Sequence, residues 1–296
     1  MDWDNLRYFL ELSRAGRLTA AARRLGVDHT TVARRVQALE KSLGRPLFLR
    51  SGSGYSLTEA GRRLSAQAEA MESAFLSIEQ EVDEGSGGVS GLVRIGATEG
   101  FGVEFLAGQL AGLTRLHPDL HIDLLAVPRM VRLARHEADI AITLERPERG
   151  PYIITRLTDY SLRLYASADY LDSHAPIRRR EDLREHGFVS YIEDLLYSKE
   201  LTYFDEIGKP GQASLRSTSI LAQLEAAKAG AGLAILPNFA ASHAPGLQQV
   251  LAEEVEFIRT FWMLMPVESK DIARMRVTWD FLREAVAAHQ GLMMGR

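Results

Sequence analysis

The sequence predicts an α/β protein in two parts: a small helical head closed by a β-hairpin, and a larger body of alternating strands and helices. Three observations carry this. Up to about residue 84 the apolar pattern gives short helices, one hairpin and a long helix; beyond it, strands and helices alternate. A flexible stretch, Gly85-Ser86-Gly87-Gly88, sits at the change. Charge divides at the same place. Residues 1–66 hold 12 Lys/Arg against 6 Asp/Glu, a net of +6; the 296-residue chain is −4, so the remainder carries −10. A basic head on an acidic body predicts that the head alone meets a polyanion.

In the head, Leu6, Phe9, Leu10 and Leu12 give an apolar helical stripe that Gly16 closes. Thr19 is the expected N-cap of a second helix, Ala20 to Leu25, ended by Gly26. Asp28 is the expected cap of a third, His29 to Leu43, stopped by Gly44 and Pro46. Leu47 to Arg50 and Tyr55 to Leu57 flank the polar tip Ser51-Gly52-Ser53-Gly54, a hairpin pattern. Thr58 opens a long helix to about Asp83. Along it Leu64, Ala68, Met71, Phe75, Ile78 and Val82 recur at alternating spacings of four and three, the seam of a coiled coil. The expectation is that this seam pairs two chains; packing on the same chain is the alternative.

In the body the expected strands are Leu92–Ala97, His121–Val127, Asp139–Thr143, Ser161–Ala166, Phe188–Tyr191, Leu233–Leu236 and Phe261–Met265. The expected helices are Phe105–Leu116, Val131–His136, Ile220–Ala229 and Ile272–Ala288. Such alternation predicts a mostly parallel sheet with helices on both faces.

Composition narrows the function. There is no cysteine, so disulfides, thiolate catalysis and cysteine-ligated zinc are excluded. No run of about 18 apolar residues occurs, so no membrane span is expected. Met1-Asp2-Trp3-Asp4 carries acids where a secretory signal carries bases, which predicts a cytoplasmic protein. His-Glu-x-x-His, phosphate-loop and nucleophile-elbow motifs are absent, and neither a catalytic set, a metal nor a cofactor is expected.

Two short helices joined by Gly26-Val27-Asp28 form a helix-turn-helix, and the hairpin adds a wing. On a wheel of about 100° per residue, Val32, Val36, Leu39 and Leu43 share the core face of the third helix. Thr30, Arg34 and Lys41 lie opposite, flanked by Thr31 and Arg35. His29, Thr30 and Thr31 stand at the N-terminal end, where side chains reach base edges. The expected DNA-binding residues are thus Thr19, His29, Thr30, Thr31, Arg34, Arg35 and, in the wing, Arg50.

The run Thr19-Ala20-Ala21-Ala22-Arg23-Arg24-Leu25, then Thr31-Val32-Ala33-Arg34-Arg35-Val36, Leu39-Glu40, Leu43-Gly44, Leu47-Phe48 and Leu57-Thr58-Glu59-Ala60-Gly61 closely resembles LysR-type transcriptional regulators. His117-Pro118-Asp119-Leu120, Ala138-Asp139-Ile140-Ala141-Ile142 and Ala229 to Pro237 are similar to family landmarks in the body. The resemblance implies a winged helix-turn-helix DNA-binding domain at 1–57, a dimerisation helix at 58–84, a hinge at 85–90 and an effector-binding domain at 91–296. That domain would be a periplasmic-binding-protein-like, two-lobed α/β fold, with lobe one at 91–160 and 267–296 and lobe two at 161–266. It also implies a homodimer or homotetramer on double-stranded promoter DNA, regulated by a small-molecule effector, with RNA polymerase a candidate partner. One departure stands out: many members carry an arginine at the wing tip for the minor groove, and this tip has no base. The rivals are a cytosolic small-molecule receptor or an enzyme on the same body fold.

Ligands in such sheets sit beyond strand C-termini. That places Thr98, Glu99, Gly100 and Phe101, Pro128 and Arg129, Glu145 and Arg146, and Ser217 and Thr218 around the expected effector site. Glu99 at a helix start would repel an anion, so the effector is expected to be neutral or basic. Thr98 and Thr218 would bond its polar end and Phe101 would pack its apolar part. The alternative is that Glu99 faces solvent or pairs with Arg129 or Arg146.

Overall fold

The computed structural model describes residues 3–296, except 53, 66, 69–70, 73–88, 132, 134–136, 149, 204, 208–210 and 243. The chain forms two compact units, Met1–Gly87 and Gly88–Arg296. No described helix is long and apolar enough to cross a membrane.

The first unit packs α1 (Trp3–Ala15), α2 (Leu18–Leu25) and α3 (His29–Leu43) around Leu6, Phe9, Leu10, Val32, Val36 and Leu39, all buried. The α3 face read from its periodicity is therefore the one that packs, with Leu43 half-buried. Thr19 does not cap α2. The N-cap is Arg17, whose carbonyl accepts from the amides of Ala20 and Ala21, and Thr19 lies exposed in the first turn. Asp28 holds the cap position of α3 with extended backbone but without a side-chain cap bond. Strands β1 (Phe48–Ser51) and β2 (Gly54–Leu57) form the hairpin, with Arg50 opposite Tyr55. Two polar contacts place it. Glu40 Oε1 accepts from the amides of Leu47 (2.7 Å) and Phe48 (3.2 Å), and the Tyr55 amide donates to the Gly16 carbonyl at 2.8 Å.

Thr58 caps the linker helix as expected, accepting from the Gly61 amide at 3.0 Å. The helix then lies against its own head. Ala68 is 1% exposed within the head core, Leu64 packs on that core, and Arg14 grips Glu72 with contacts of 2.5 and 3.2 Å. The first two seam positions thus pack within the chain, as in the alternative reading of the seam. Met71 is 47% exposed. Phe75, Ile78 and Val82 lie outside the described residues.

The second unit is one mixed sheet in the order β4-β3-β5-β11-β6-β9-β7-β8, with β10 also paired to β6. Its strands are β3 (Gly91–Thr98), β4 (Leu120–Val127), β5 (Ile140–Thr143), β6 (Tyr152–Ser167), β7 (Phe188–Ser190), β8 (Ala213–Arg216), β9 (Leu233–Pro237), β10 (Leu247–Val250) and β11 (Glu256–Pro266). β3 runs parallel to β4 and β5, and β7 to β8 and β9. These two parallel groups meet on a spine of β6 and β11, antiparallel from Glu256↔Arg163 to Pro266↔Tyr152 with an irregularity at Phe261/Trp262. The expectation of a mostly parallel sheet is corrected: every pairing made by β6 or β11 is antiparallel. Both spine strands begin earlier than their apolar runs, because their N-terminal stretches are only partly buried.

A second correction concerns the helix after β3. It starts at Glu99, not Phe105: Glu99–Phe101, a π-helical turn Gly102–Leu106, and Ala107–Leu116 follow one another without a break (α4). Gly100 and Gly102 look like helix breakers but serve close packing. A Cβ on Gly100 would lie 2.6 Å from Ile220 Cγ2, and one on Gly102 would lie 2.5 Å from the Ala126 Cβ. The helix expected at Val131–His136 falls largely outside the described residues; Val131 itself is non-helical and buried. Ile220–Lys228 (α6, after Ala168–Ser173, α5) and Ala273–Ala288 are helical as expected.

Candidate functional site

The first site is the outer side of α3. His29, Thr30 and Arg34 are exposed there, Thr31 is half-exposed, and Arg34 has no hydrogen-bond or ion-pair partner among the described residues. The next residue differs. Arg35 Nη1 donates to Asn5 Oδ1 at 3.3 Å, its Nη2 lies 3.4 Å from Asp4 Oδ2, and its guanidinium sits 5.7 Å from the centre of the Tyr8 ring. Arg35 therefore ties α3 to α1 while its side chain stays partly exposed. Arg50 is exposed on β1 with its guanidinium 6.0 Å from the Tyr55 ring centre, which steadies its stem on the wing.

The second site is a narrow cleft at the C-terminal end of β3, with a cavity volume of about 30 Å³. Of the residues expected there, Thr98, Glu99, Gly100, Phe101, Pro128 and Thr218 line it. Four do not. Arg129 Nη1 is bound to Glu137 Oε2 at 2.8 Å, and Arg146 lies 5.3 Å from the Trp262 ring centre. Glu145 Oε1 accepts from Ser198 Oγ at 2.8 Å and the Lys199 amide at 3.1 Å. Ser217 Oγ accepts from the Ser219 amide at 3.1 Å, holding the turn before α6, where Ser219 is the N-cap. Each is engaged elsewhere, Arg129 and Ser217 within their own loops and Glu145 and Arg146 with distant segments, and neither arginine pairs with Glu99.

Sequence reasoning looked for polar groups at strand ends and missed the walls. Tyr160 (β6), Tyr191, Tyr197, Tyr203, Phe239 and Phe261 (β11) line the cleft with Phe101. Phe101, Phe261 and Tyr160 form a continuous stack, with ring centres 4.2 and 4.3 Å apart in turn. Tyr191 meets Tyr203 edge-on at 6.3 Å. Phe101 is wholly buried within the stack, so it is part of the floor. The signal available was the spacing Tyr191, Tyr197, Tyr203, three phenols at six-residue steps in a segment without regular periodicity.

Electrostatically the cleft is simple. Among the described residues Glu99 is the one charged residue that lines it. Its Oε2 is shut off from solvent and has no hydrogen-bond partner. Burial, with the Glu99 charge adding to it, pushes the Tyr197 hydroxyl up to about 12. Burial likewise raises Tyr160, Tyr191 and Tyr203 above the ordinary phenol range. All four are neutral at pH 7.

The family model described as bacterial regulatory helix-turn-helix protein, lysR family, matches residues 3–62, and that of the LysR substrate binding domain matches residues 86–287. The chain belongs to the LysR family. It is a DNA-binding transcription regulator with an effector-binding domain. The Mau operon transcriptional activator of Paracoccus denitrificans is 29% identical over 97% of this chain and 99% of its own length. In fold, this LysR-family chain is similar to full-length OxyR from Pseudomonas aeruginosa (TM-score 0.74, 21% identity, 97% of this chain and 94% of that one). It is also similar to CbnR, solved in complex with its target DNA (TM-score 0.58, 20% identity, 96% and 100%).

Proposed function

We propose that this regulator reads double-stranded promoter DNA with α3. His29, Thr30, Thr31 and Arg34 would enter the major groove, while Arg50 and Thr19 meet the flanking backbone. The observation that carries it is Arg34, exposed and unpartnered on the outer side of a helix whose other side is core. A guanidinium so placed can bond a guanine edge in two places. Base-free Ser51 and Gly52 at the wing tip give no cation for the minor groove. The cleft beside Glu99 is the effector site, and effector binding there alters what the DNA-bound assembly does. The regulator acts in the cytoplasm as a homodimer or homotetramer joined through the linker helix, with RNA polymerase its further partner.

A mobility-shift titration with the DNA flanking its own gene tests this. Wild type should retard that DNA in excess of random competitor. Arg34→Ala should lose about 1–3 kcal/mol of specific binding, roughly five- to 150-fold, with non-specific binding little changed. Equal retardation of the promoter fragment by both proteins would place α3 outside the groove.

A further inference from the structure

We propose that the cleft takes a small organic ammonium cation, its charge paired with Glu99 and its alkyl or aryl groups boxed by Tyr160, Tyr191, Tyr197 and Phe261. The inference rests on the cleft being the effector site and adds the chemical class of the effector.

The first ground is charge. Glu99 stands at the cleft wall with one carboxylate oxygen buried and no donor to it among the described residues. A carboxylate oxygen removed from water without a hydrogen bond is costly, and the cost is recovered when a donor arrives. The N-terminus of α4 offsets part of the Glu99 charge. That same occupancy denies the helix end to an anionic ligand.

The second ground is the fate of the nearby cations, each of which is engaged away from the cleft. Arg129 is taken by Glu137 at 2.8 Å, and Arg146 lies over Trp262. Arg259, behind Tyr203, is held by Glu206 at 2.7 Å and Glu200 at 3.3 Å. A carboxylate or phosphate ligand would enter beside Glu99 and find no counter-charge.

The third ground is the walls. Aromatic faces carry negative potential and attract ammonium groups, most strongly where water is excluded. The Phe101–Phe261–Tyr160 stack lines one part of the cleft and Tyr191, Tyr197 and Tyr203 another. The hydroxyls of Tyr160, Tyr191 and Tyr197 make no hydrogen bond to described residues, and all three stay protonated, so they add dipoles without charge. A neutral aromatic ligand would use the walls and leave Glu99 unmatched. An ammonium uses both.

Calorimetry and thermal shift on the full-length chain decide it, with three probes of one shape: benzylammonium, benzyl alcohol and benzoate. Benzylammonium should bind at least tenfold more tightly than benzyl alcohol, and benzoate should not bind. Glu99→Gln should weaken benzylammonium at least tenfold and leave benzyl alcohol unchanged. Tyr197→Leu should weaken benzylammonium and Tyr197→Phe should largely retain it. The wild-type probe series stands even if a variant misfolds. Benzoate bound in place of the amine, and lost in Tyr197→Leu, would keep the cleft as effector site and overturn the cation. Benzyl alcohol equalling benzylammonium, benzylammonium failing to bind wild type, or its affinity unchanged in Glu99→Gln would each overturn it too. A mobility shift on the same preparation reports separately on the DNA-binding reading.

Discussion

Arg34 and Arg35 are adjacent, identical in chemistry, and placed by a helical wheel only about 100° apart. The structure separates them. Arg34 is exposed and unpartnered, whereas Arg35 is drawn onto Asp4, Asn5 and Tyr8 of α1. Its loss should therefore act on stability. Arg35→Ala is expected to lower head stability by about 0.5–1 kcal/mol, the range of a part-exposed ion pair with a cation–π contact. Its effect on promoter binding should be no larger than that loss predicts. Urea unfolding followed beside DNA titration checks it: a stable variant that has lost specific binding would restore Arg35 to the reading face. Arg50→Ala, on the wing, should reduce the log–log salt slope of binding by about one unit on promoter and random DNA alike. A salt titration on both DNAs reads this directly, and an unchanged slope would take Arg50 off the phosphates. The reading of α3 as amphipathic was available in the sequence because 3.6-residue periodicity is local. Which cation pairs inward was not, because Asp4 and Asn5 lie some thirty residues away and reach Arg35 only across the α1–α3 packing.

At the scale of elements, two glycines of α4 are explained by packing. Gly100 and Gly102 stand in the first turns of α4, ahead of the apolar run from Phe105, so the periodic pattern begins six residues after the helix does. Gly102 is present because α4 approaches β4 to within a Cβ of Ala126. Gly102→Ala would gain about 0.5–1 kcal/mol of helix propensity. Overpacking would cost about 1–3 kcal/mol, so the net effect is destabilising. Gly108, exposed in the same helix, has nothing within 4 Å of its Cβ position, so Gly108→Ala should stabilise by about 0.5–1 kcal/mol. Equilibrium unfolding of the pair gives opposite signs if packing rather than propensity explains Gly102; a stabilised Gly102→Ala would refute it. The strands β8 and β10 were illegible for a related reason. Ala213–Arg216 and Leu247–Val250 are only four residues long; the first alternates apolar and polar residues but leaves Leu215 exposed, and the second has two glutamines between its apolar ends. Their partners β7 and β6 make them strands.

For the whole molecule, assembly turns on the linker helix, whose described part divides between two roles. Ala68 is core to its own head and Met71 is 47% exposed. Ala68→Glu should cost the head about 1–3 kcal/mol at the least, by burying a polar group without a partner. Met71→Glu should leave head stability within about 0.5 kcal/mol. If the outer face of the helix joins two chains, Met71→Glu should nevertheless shift sedimentation toward the monomer. Wild-type sedimentation of Met71→Glu would remove that face from the interface. By itself the sequence determined the winged helix-turn-helix, the change to an α/β body and the family, because periodicity, caps, turn residues and motif spacing all act within a few residues of one another. Tertiary structure alone decided the character of the cleft. Phe101, Tyr160, Tyr191, Tyr197, Tyr203 and Phe261 come from segments as much as 160 residues apart; the pairing of β6 with β11 joins Tyr160 to Phe261, and packing of the other segments on that spine brings in the rest. That same folding took Arg129 and Arg146 away to other partners and left Glu99, among the described residues, as the one charge beside the aromatic rings. Non-local pairing sets which charges remain uncompensated, and local pattern carries no record of it.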